Sequence, residues 1–192
     1  KTRLVIYSSP CNPTGSVYSM AELEAFAEIL GKRDEIYIVS DEIYEYINYT
    51  GGHASIASIP SVRDQTITVN GFSKGFAMTG WRLGYIGAPK EVAKATDKMQ
   101  GQFTSGAASF SQKAAALALD TELSETHKMK EVFQQRRDLI LGLLKEIPGV
   151  KCNTPDGAFY VFPDVSSYYG KKTEDGTTIE NGDQLCEYIL EK

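Results

Sequence analysis

GFSKGFAMTGWRLGY, running from Gly71 to Tyr85, places one lysine, Lys74, between two glycines and sets an arginine, Arg82, eight positions beyond it. The segment directly before it, Gln65 to Asn70, has the β-branched composition of a strand. Lys74 therefore falls just past a strand end, where Gly71 and Gly75 let backbone approach a bound group closely. A protonated amine is a poor nucleophile, but in an enclosed site beside cationic groups a lysine forms a Schiff base with an aldehyde. A lysine taken alone is an ordinary surface residue; its meaning here comes from what surrounds it.

Working outward, short β-branched or aromatic runs recur at Leu4 to Ser8, Glu35 to Ser40, Gln65 to Asn70 and Leu83 to Gly87. Between the first two lies a helix, Ser19 to Gly31, with Ser19 and Glu22 spaced as a capping box and Leu23, Phe26, Ala27 and Leu30 on one face. Alternation of this kind predicts an α/β fold with a largely parallel sheet. From Pro89 onward the pattern turns helical: Glu91 to Gly101, Ser109 to Leu123, and Glu125 to Glu146, which Pro148-Gly149 ends. The last is long enough to run from one domain into another. Gly157 to Phe162 reads as a further strand, followed by a polar loop around Gly170 to Gly182 and a short helix from Asp183 to Leu190. The expected division is residues 1–125 as part of a large domain and 126–192 as a linking helix with the beginning of a smaller one. Leu4 to Ser8 has no preceding partner and the last strand and helix enclose no second core, so the chain is expected to be an internal piece of a longer protein.

With 192 residues and 42% hydrophobic content there is enough apolar side chain for a core. The net charge of -5, from 20 Lys+Arg against 25 Asp+Glu, gives no reason to expect nucleic acid as a partner. Three cysteines, Cys11, Cys152 and Cys186, are odd in number and lack CxxC spacing, which argues against a disulfide framework and for the cytoplasm. No apolar run is long enough to span a bilayer, and Asn48-Tyr49-Thr50 reads as a chance sequon. The two histidines, His53 and His127, lie far apart without metal-ligand spacing, and neither GxGxxG nor GxxxxGK[ST] occurs.

Three other elements belong with Lys74. Asp41 and Glu42 follow the apolar run Ile36 to Ser40 at a strand's carboxyl end, where open α/β sheets bind ligands. A carboxylate there either caps a loop or pairs with a protonated pyridine nitrogen, keeping a ring an electron sink. Two adjacent side chains cannot face the same ring, so Glu42 is expected to face solvent or an interface. Tyr44 either packs or donates to a ring oxygen; Tyr46 and Tyr49 are expected to pack, as are Trp81 and Met78. Arg82 offers a planar fork suited to phosphate, and Ser73 a neighbouring hydroxyl. Asn12, in the turn Ser9-Pro10-Cys11-Asn12-Pro13-Thr14-Gly15, can aim its amide at a ligand from the end of the first strand.

NPTG at Asn12 to Gly15, SDEIYE at Ser40 to Glu45 and SK with AMTGWRLGY together resemble the class I/II aminotransferases that depend on pyridoxal phosphate, of fold type I. The run AMTGWRLGY is most similar to that of the bacterial aspartate aminotransferase branch, and the resemblance extends through GAFYVFPDVSSYYG. It implies a large α/β/α domain and transamination between an L-amino acid, aspartate best, and a 2-oxo acid such as 2-oxoglutarate. It implies Lys74 as the Schiff-base lysine and proton carrier, Asp41 at the pyridine nitrogen, Tyr44 and Asn12 at the ring oxygen, and Arg82 with Ser73 at the phosphate. Asn12 would also touch the substrate's carboxylate side, and the parent protein would work as a homodimer. Many members carry a serine three residues before the lysine, where this chain has Gly71. QFTSGAAS, Gln102 to Ser109, lacks the arginine with which one aspartate-specific branch reads the distal carboxylate. The glycine-rich phosphate loop and ring-stacking aromatic would precede Lys1, and the α-carboxylate arginine would follow Lys192, so this stretch alone is expected to be inactive. A lyase or synthase on the same cofactor, or a noncatalytic binding module, are the competing expectations.

Overall fold

The computed structural model describes residues 1–192, and its centre is a four-stranded sheet in the order β1 (Leu4–Ser8), β2 (Tyr37–Asp41), β3 (Thr66–Gly71), β4 (Gly84–Gly87). The first three strands are parallel and β4 runs antiparallel to β3, so the sheet is mixed with a parallel majority. The first four expected strands are present, with ends moved by no more than two residues, the usual uncertainty of element boundaries. Five helices accompany them: α1 (Met20–Leu30), α2 (Lys90–Phe103), α3 (Ser109–Leu119), α4 (Ser124–Lys145) and α5 (Gly182–Leu190). None is long and apolar enough to cross a membrane.

Local chemistry explains α1. Ser19 accepts from the Glu22 backbone N–H, and the Glu22 carboxylate accepts in return from the Ser19 N–H at 2.8 Å, closing the capping box. The helix lays Leu23 and Ala27 on the sheet, where they meet Ile38, Ile56 and Val62 in one buried cluster. Full burial of a side chain such as Leu23 or Ile38 contributes about 1.5–3 kcal/mol.

A polar layer lies beside this core. Glu42, expected at the surface, is only 4% exposed. Its Oε1 accepts from Ser40 Oγ at 2.8 Å and Ser55 Oγ at 2.7 Å, and its Oε2 is 2.8 Å from His53 Nε2. Ser40 Oγ is also 2.9 Å from Tyr7 Oη. A serine has one proton; it goes to the carboxylate, and the Tyr7 phenol, which burial pushes up to about 12, supplies the other bond. One carboxylate thus ties β1, β2 and the segment after Gly52 together, which is why it is inside.

Two further expectations fail. Gly157 to Phe162 forms no strand: only an isolated bridge joins Gly157 to Asn48, and Ala158 turns the chain with φ 57°, a left-handed conformation that ends extended pairing. Trp81 is 44% exposed, whereas Met78 is buried against Phe72 and Ala115 as expected. Trp81 instead meets Phe110 at 6.1 Å between ring centroids.

The turn from β3 into β4 depends on two glycines. Gly71 pairs with Gly84, and a Cβ built on Gly71 would lie 2.9 Å from Gly84 Cα and 2.9 Å from the Leu83 carbonyl oxygen. Gly71→Ser therefore forces the two strands apart at this point and is expected to cost about 1–3 kcal/mol, read as a lower urea midpoint at unchanged slope. Glu42→Ala, which strips three hydrogen-bonding partners of their shared acceptor, is expected to cost about 3–5 kcal/mol in the same experiment; a loss under 1 kcal/mol would show that water replaces the carboxylate.

Candidate active site

Parallel pairing sets Ser8 opposite Asp41 and Asp41 opposite Val69, so the carboxyl ends of β1, β2 and β3 lie along one edge. Because β4 is antiparallel, its first residue, Gly84, sits opposite Gly71 at that edge as well. Asp41 ends β2 at this edge, and Asn12, Tyr44, Ser73, Lys74 and Arg82 lie in the connections that leave or enter it. Sequence spacing alone placed each at a strand end; the sheet brings the ends together.

Lys74 is half-buried, and its Nζ lies 5.7 Å from the centre of the Tyr44 ring and 5.3 Å from that of Phe159. Ring faces attract an ammonium, by about 0.5–1 kcal/mol where water still reaches it. No carboxylate pairs with this amine and no hydrogen bond engages it. Asp41 is half-buried, with Oδ1 accepting from the Ile43 N–H at 3.2 Å, which turns the chain after β2 and leaves Oδ2 without a protein partner.

Tyr44 is 3% exposed and its hydroxyl is hydrogen-bonded to that of Tyr160, with the rings edge to face at 5.7 Å. Burial first, and the Tyr160 phenol second, push the Tyr44 phenol well above the ordinary tyrosine range. It holds its proton at any working pH and is available as a donor.

The loop that carries Lys74 is folded on itself and pinned from outside. The Ala77 N–H donates to the Lys74 carbonyl and the Met78 N–H to the Phe72 carbonyl, each at 3.2 Å. Thr126 Oγ1, on α4, donates to the Gly75 carbonyl at 2.9 Å, and Ser111 Oγ, on α3, to the Trp81 carbonyl at 3.1 Å. Arg82 has φ 52° and its Nη1 donates to the Thr79 carbonyl at 2.9 Å; the side chain is exposed. Left-handed backbone at an arginine costs energy and persists only where the surroundings hold it, a condition that concentrates at functional sites. Ser73 is half-buried beside Lys74, and Asn12 is exposed in its turn, with no hydrogen bond to its amide.

Two aromatic residues join the site without having been singled out. Phe159 stacks on Phe133 of α4 at 5.0 Å and meets Tyr44 at 5.3 Å, so it forms a wall beside Lys74. Tyr160 reaches the Tyr44 hydroxyl from 116 residues away in the sequence. The only advance sign of either was the GAFYVF run itself. Tyr46 and Tyr49 pack as expected: Tyr46 lies against Gly75 and Phe76, and Tyr49 donates to the Ala158 carbonyl at 2.7 Å. Asn48 is buried, accepting from Thr50 and donating to Gly52, which accounts for the sequon without a sugar.

The chain resembles solved aminotransferases over its length. It superposes on the aspartate aminotransferase of Rhizobium meliloti with a TM-score of 0.95 at 40% identity, covering 100% of this chain and 48% of that one. An aromatic aminotransferase from Pyrococcus horikoshii OT3 gives a TM-score of 0.83 at 41% identity over 87% of this chain and 45% of that one. Among curated relatives, a bifunctional aspartate aminotransferase and glutamate/aspartate-prephenate aminotransferase of Petunia hybrida is 52% identical over 100% of this chain and 41% of its own length. An aspartate aminotransferase of Pinus pinaster is 50% identical over 100% of this chain and 40% of its own. The chain thus spans less than half the length of the relatives it matches. The profile of the family Aminotransferase class I and II matches residues 1–192, and with the fold and these relatives it establishes that the chain belongs to the class I and II aminotransferases of fold type I, related to aspartate aminotransferase.

Proposed function

We propose that the parent protein transfers the amino group of an L-amino acid, aspartate best, to 2-oxoglutarate, with pyridoxal phosphate as cofactor and Lys74 as the catalytic residue. The observation that carries this reading is the amine of Lys74, half-buried beside two aromatic rings at the edge where the end of β2 delivers Asp41 and Tyr44 and the entry to β4 delivers Arg82. Its donor set fits the cofactor: an amine with no internal ion pair, a carboxylate with one free oxygen, a protonated phenol and an exposed guanidinium. Family membership and the printed activities of the relatives support the reaction class.

When bound, pyridoxal phosphate supplies an aldehyde that captures amines and a ring that accepts the electrons released at the amino acid's Cα. The side chains divide the remaining work. Lys74 would hold the cofactor through its amine and, when that amine is free, would carry the proton between the substrate's Cα and the cofactor's C4′, which needs the amine within hydrogen-bond reach. Asp41 would keep a proton on the ring nitrogen, Tyr44 would donate to the ring oxygen with Asn12 beside it, and Ser73 with Arg82 would hold the phosphate. Asn12 also meets the carboxylate side of the substrate. Gly71 offers no hydroxyl to a phosphate, and a side chain there would collide with Gly84.

The same reading assigns residues 1–125 to the cofactor-binding domain and 126–192 to the linking helix and the start of a second domain, in a cytoplasmic homodimer. Its test uses the complete parent chain: titration with pyridoxal phosphate, borohydride reduction and peptide mass spectrometry. The label is expected on Lys74 and absent from Lys74→Ala, with aspartate-to-2-oxoglutarate transfer reduced by at least about 10²-fold. Arg82→Ala is expected to weaken cofactor binding by roughly 10- to 100-fold. Labelling on another lysine, or full activity of Lys74→Ala, would overturn the assignment.

A further inference from the structure

The geometry points to Tyr160 as a positioning residue for Tyr44, its hydroxyl donating to Tyr44 Oη so that Tyr44 directs its own proton toward the cofactor's ring oxygen beside Lys74. This rests on the proposed role of Tyr44. A phenol has one proton and can also accept. While the two hydroxyls have only each other, either can be the donor. Once an anionic oxygen arrives beside Tyr44, the bond between the phenols can persist only with Tyr160 as donor. A donor that also accepts is polarised and binds its own acceptor more strongly. Tyr44, at 3% exposure, keeps its proton because burial disfavours the phenolate, so a proton is available to the ring oxygen.

Tyr160 is held for this purpose by an over-determined segment. The Asp156 and Gly157 N–H groups both donate to the Gly15 carbonyl at 2.9 Å, the Ala158 N–H donates to Ile47 at 2.8 Å, and Tyr49 Oη donates to the Ala158 carbonyl at 2.7 Å. Between these bonds Ala158 is 1% exposed with φ 57°, a conformation that a non-glycine residue keeps only under such restraint. A Cβ on Gly157 would lie 2.6 Å from the Pro10 side chain, so the segment sits directly on the Asn12 turn. Two residues after Gly157, and again after Ala158, the chain delivers Phe159 to the Lys74 amine and Tyr160 to the Tyr44 hydroxyl.

The visible absorption of the cofactor-loaded parent protein provides the test, because its pH midpoint reports how firmly the proton between ring oxygen and lysine nitrogen is held. Donation from Tyr44 draws electron density from the ring oxygen and lowers the midpoint. Tyr160→Phe is expected to raise it by about 0.3–0.7 pH unit, Tyr44→Phe by more, and the double variant no further than Tyr44→Phe alone. Replacement of Tyr160 by 3-fluorotyrosine, which keeps the shape and donates more strongly, is expected to move it the opposite way and serves if Tyr160→Phe fails to fold. In the cofactor-free protein, circular dichroism and melting temperature confirm that each variant is folded. An unmoved midpoint in Tyr160→Phe, or full additivity in the double variant, overturns the role of Tyr160 while Tyr44→Phe still raises it. An unmoved midpoint in Tyr44→Phe overturns the reading of Tyr44 itself.

Discussion

Register in the parallel sheet is the constraint on which the site depends. With Ser8 opposite Asp41 and Gly71 opposite Gly84, four chain segments open at one edge. A slip of one residue in any pair would turn every side chain of that strand to the other face. Ile38 would leave the cluster under α1, so the apolar core that stabilises the sheet also fixes where Asp41 points. Gly71 adds a second lock, since a Cβ on it would lie 2.9 Å from Gly84 Cα and from the Leu83 carbonyl oxygen. Stability and function are therefore specified by the same few pairings.

The carboxyl edge alone does not make a site; its loops must also be stiff. Backbone carbonyls in the Lys74 loop are held by side chains from α3 and α4, through Ser111 and Thr126, both buried. Buried hydroxyls in such positions satisfy polar groups that the loop cannot pair internally, so the helices contribute more than apolar cover. On the other side Glu42 holds Ser40, the residue before Asp41, and through Ser55 and His53 fastens the chain that returns toward β3. Asp41 thus rests on a buried polar layer.

How much of this could be read from the sequence follows from the range of the forces involved. Strand and helix positions were legible because periodicity, capping and turn residues act within a few positions: Ser19 and Glu22 announce α1, and Asn12, Asp41 and Lys74 are found where strands end. Facing was not legible. Glu42 is inside because His53 and Ser55 reach it, and nothing local in SDEIYE says so. Trp81 is partly outside because apolar residues are under no obligation to be buried when polar surface is insufficient to cover a protein. Gly157 to Phe162 has a strand's composition, yet hydrogen bonds to Gly15 and Ile47, set by distant chain, hold Ala158 in a conformation no strand allows.

That segment also links the two kinds of structure in the chain. Pro155 accepts from Arg137 of α4 at 2.9 Å, and the guanidinium lies 4.7 Å over Tyr49, while the same few residues hold the Asn12 turn through Gly15. Movement of α4 at Arg137 relative to the sheet would be transmitted to the segment through Pro155, because hydrogen bonds hold it on both sides. Its two aromatic side chains touch the amine and the phenol at the sheet edge, and neither the helix nor the sheet could supply those contacts alone. The left-handed Ala158 is the point at which the two sets of restraints meet, and its backbone cost is met by the bonds on either side of it.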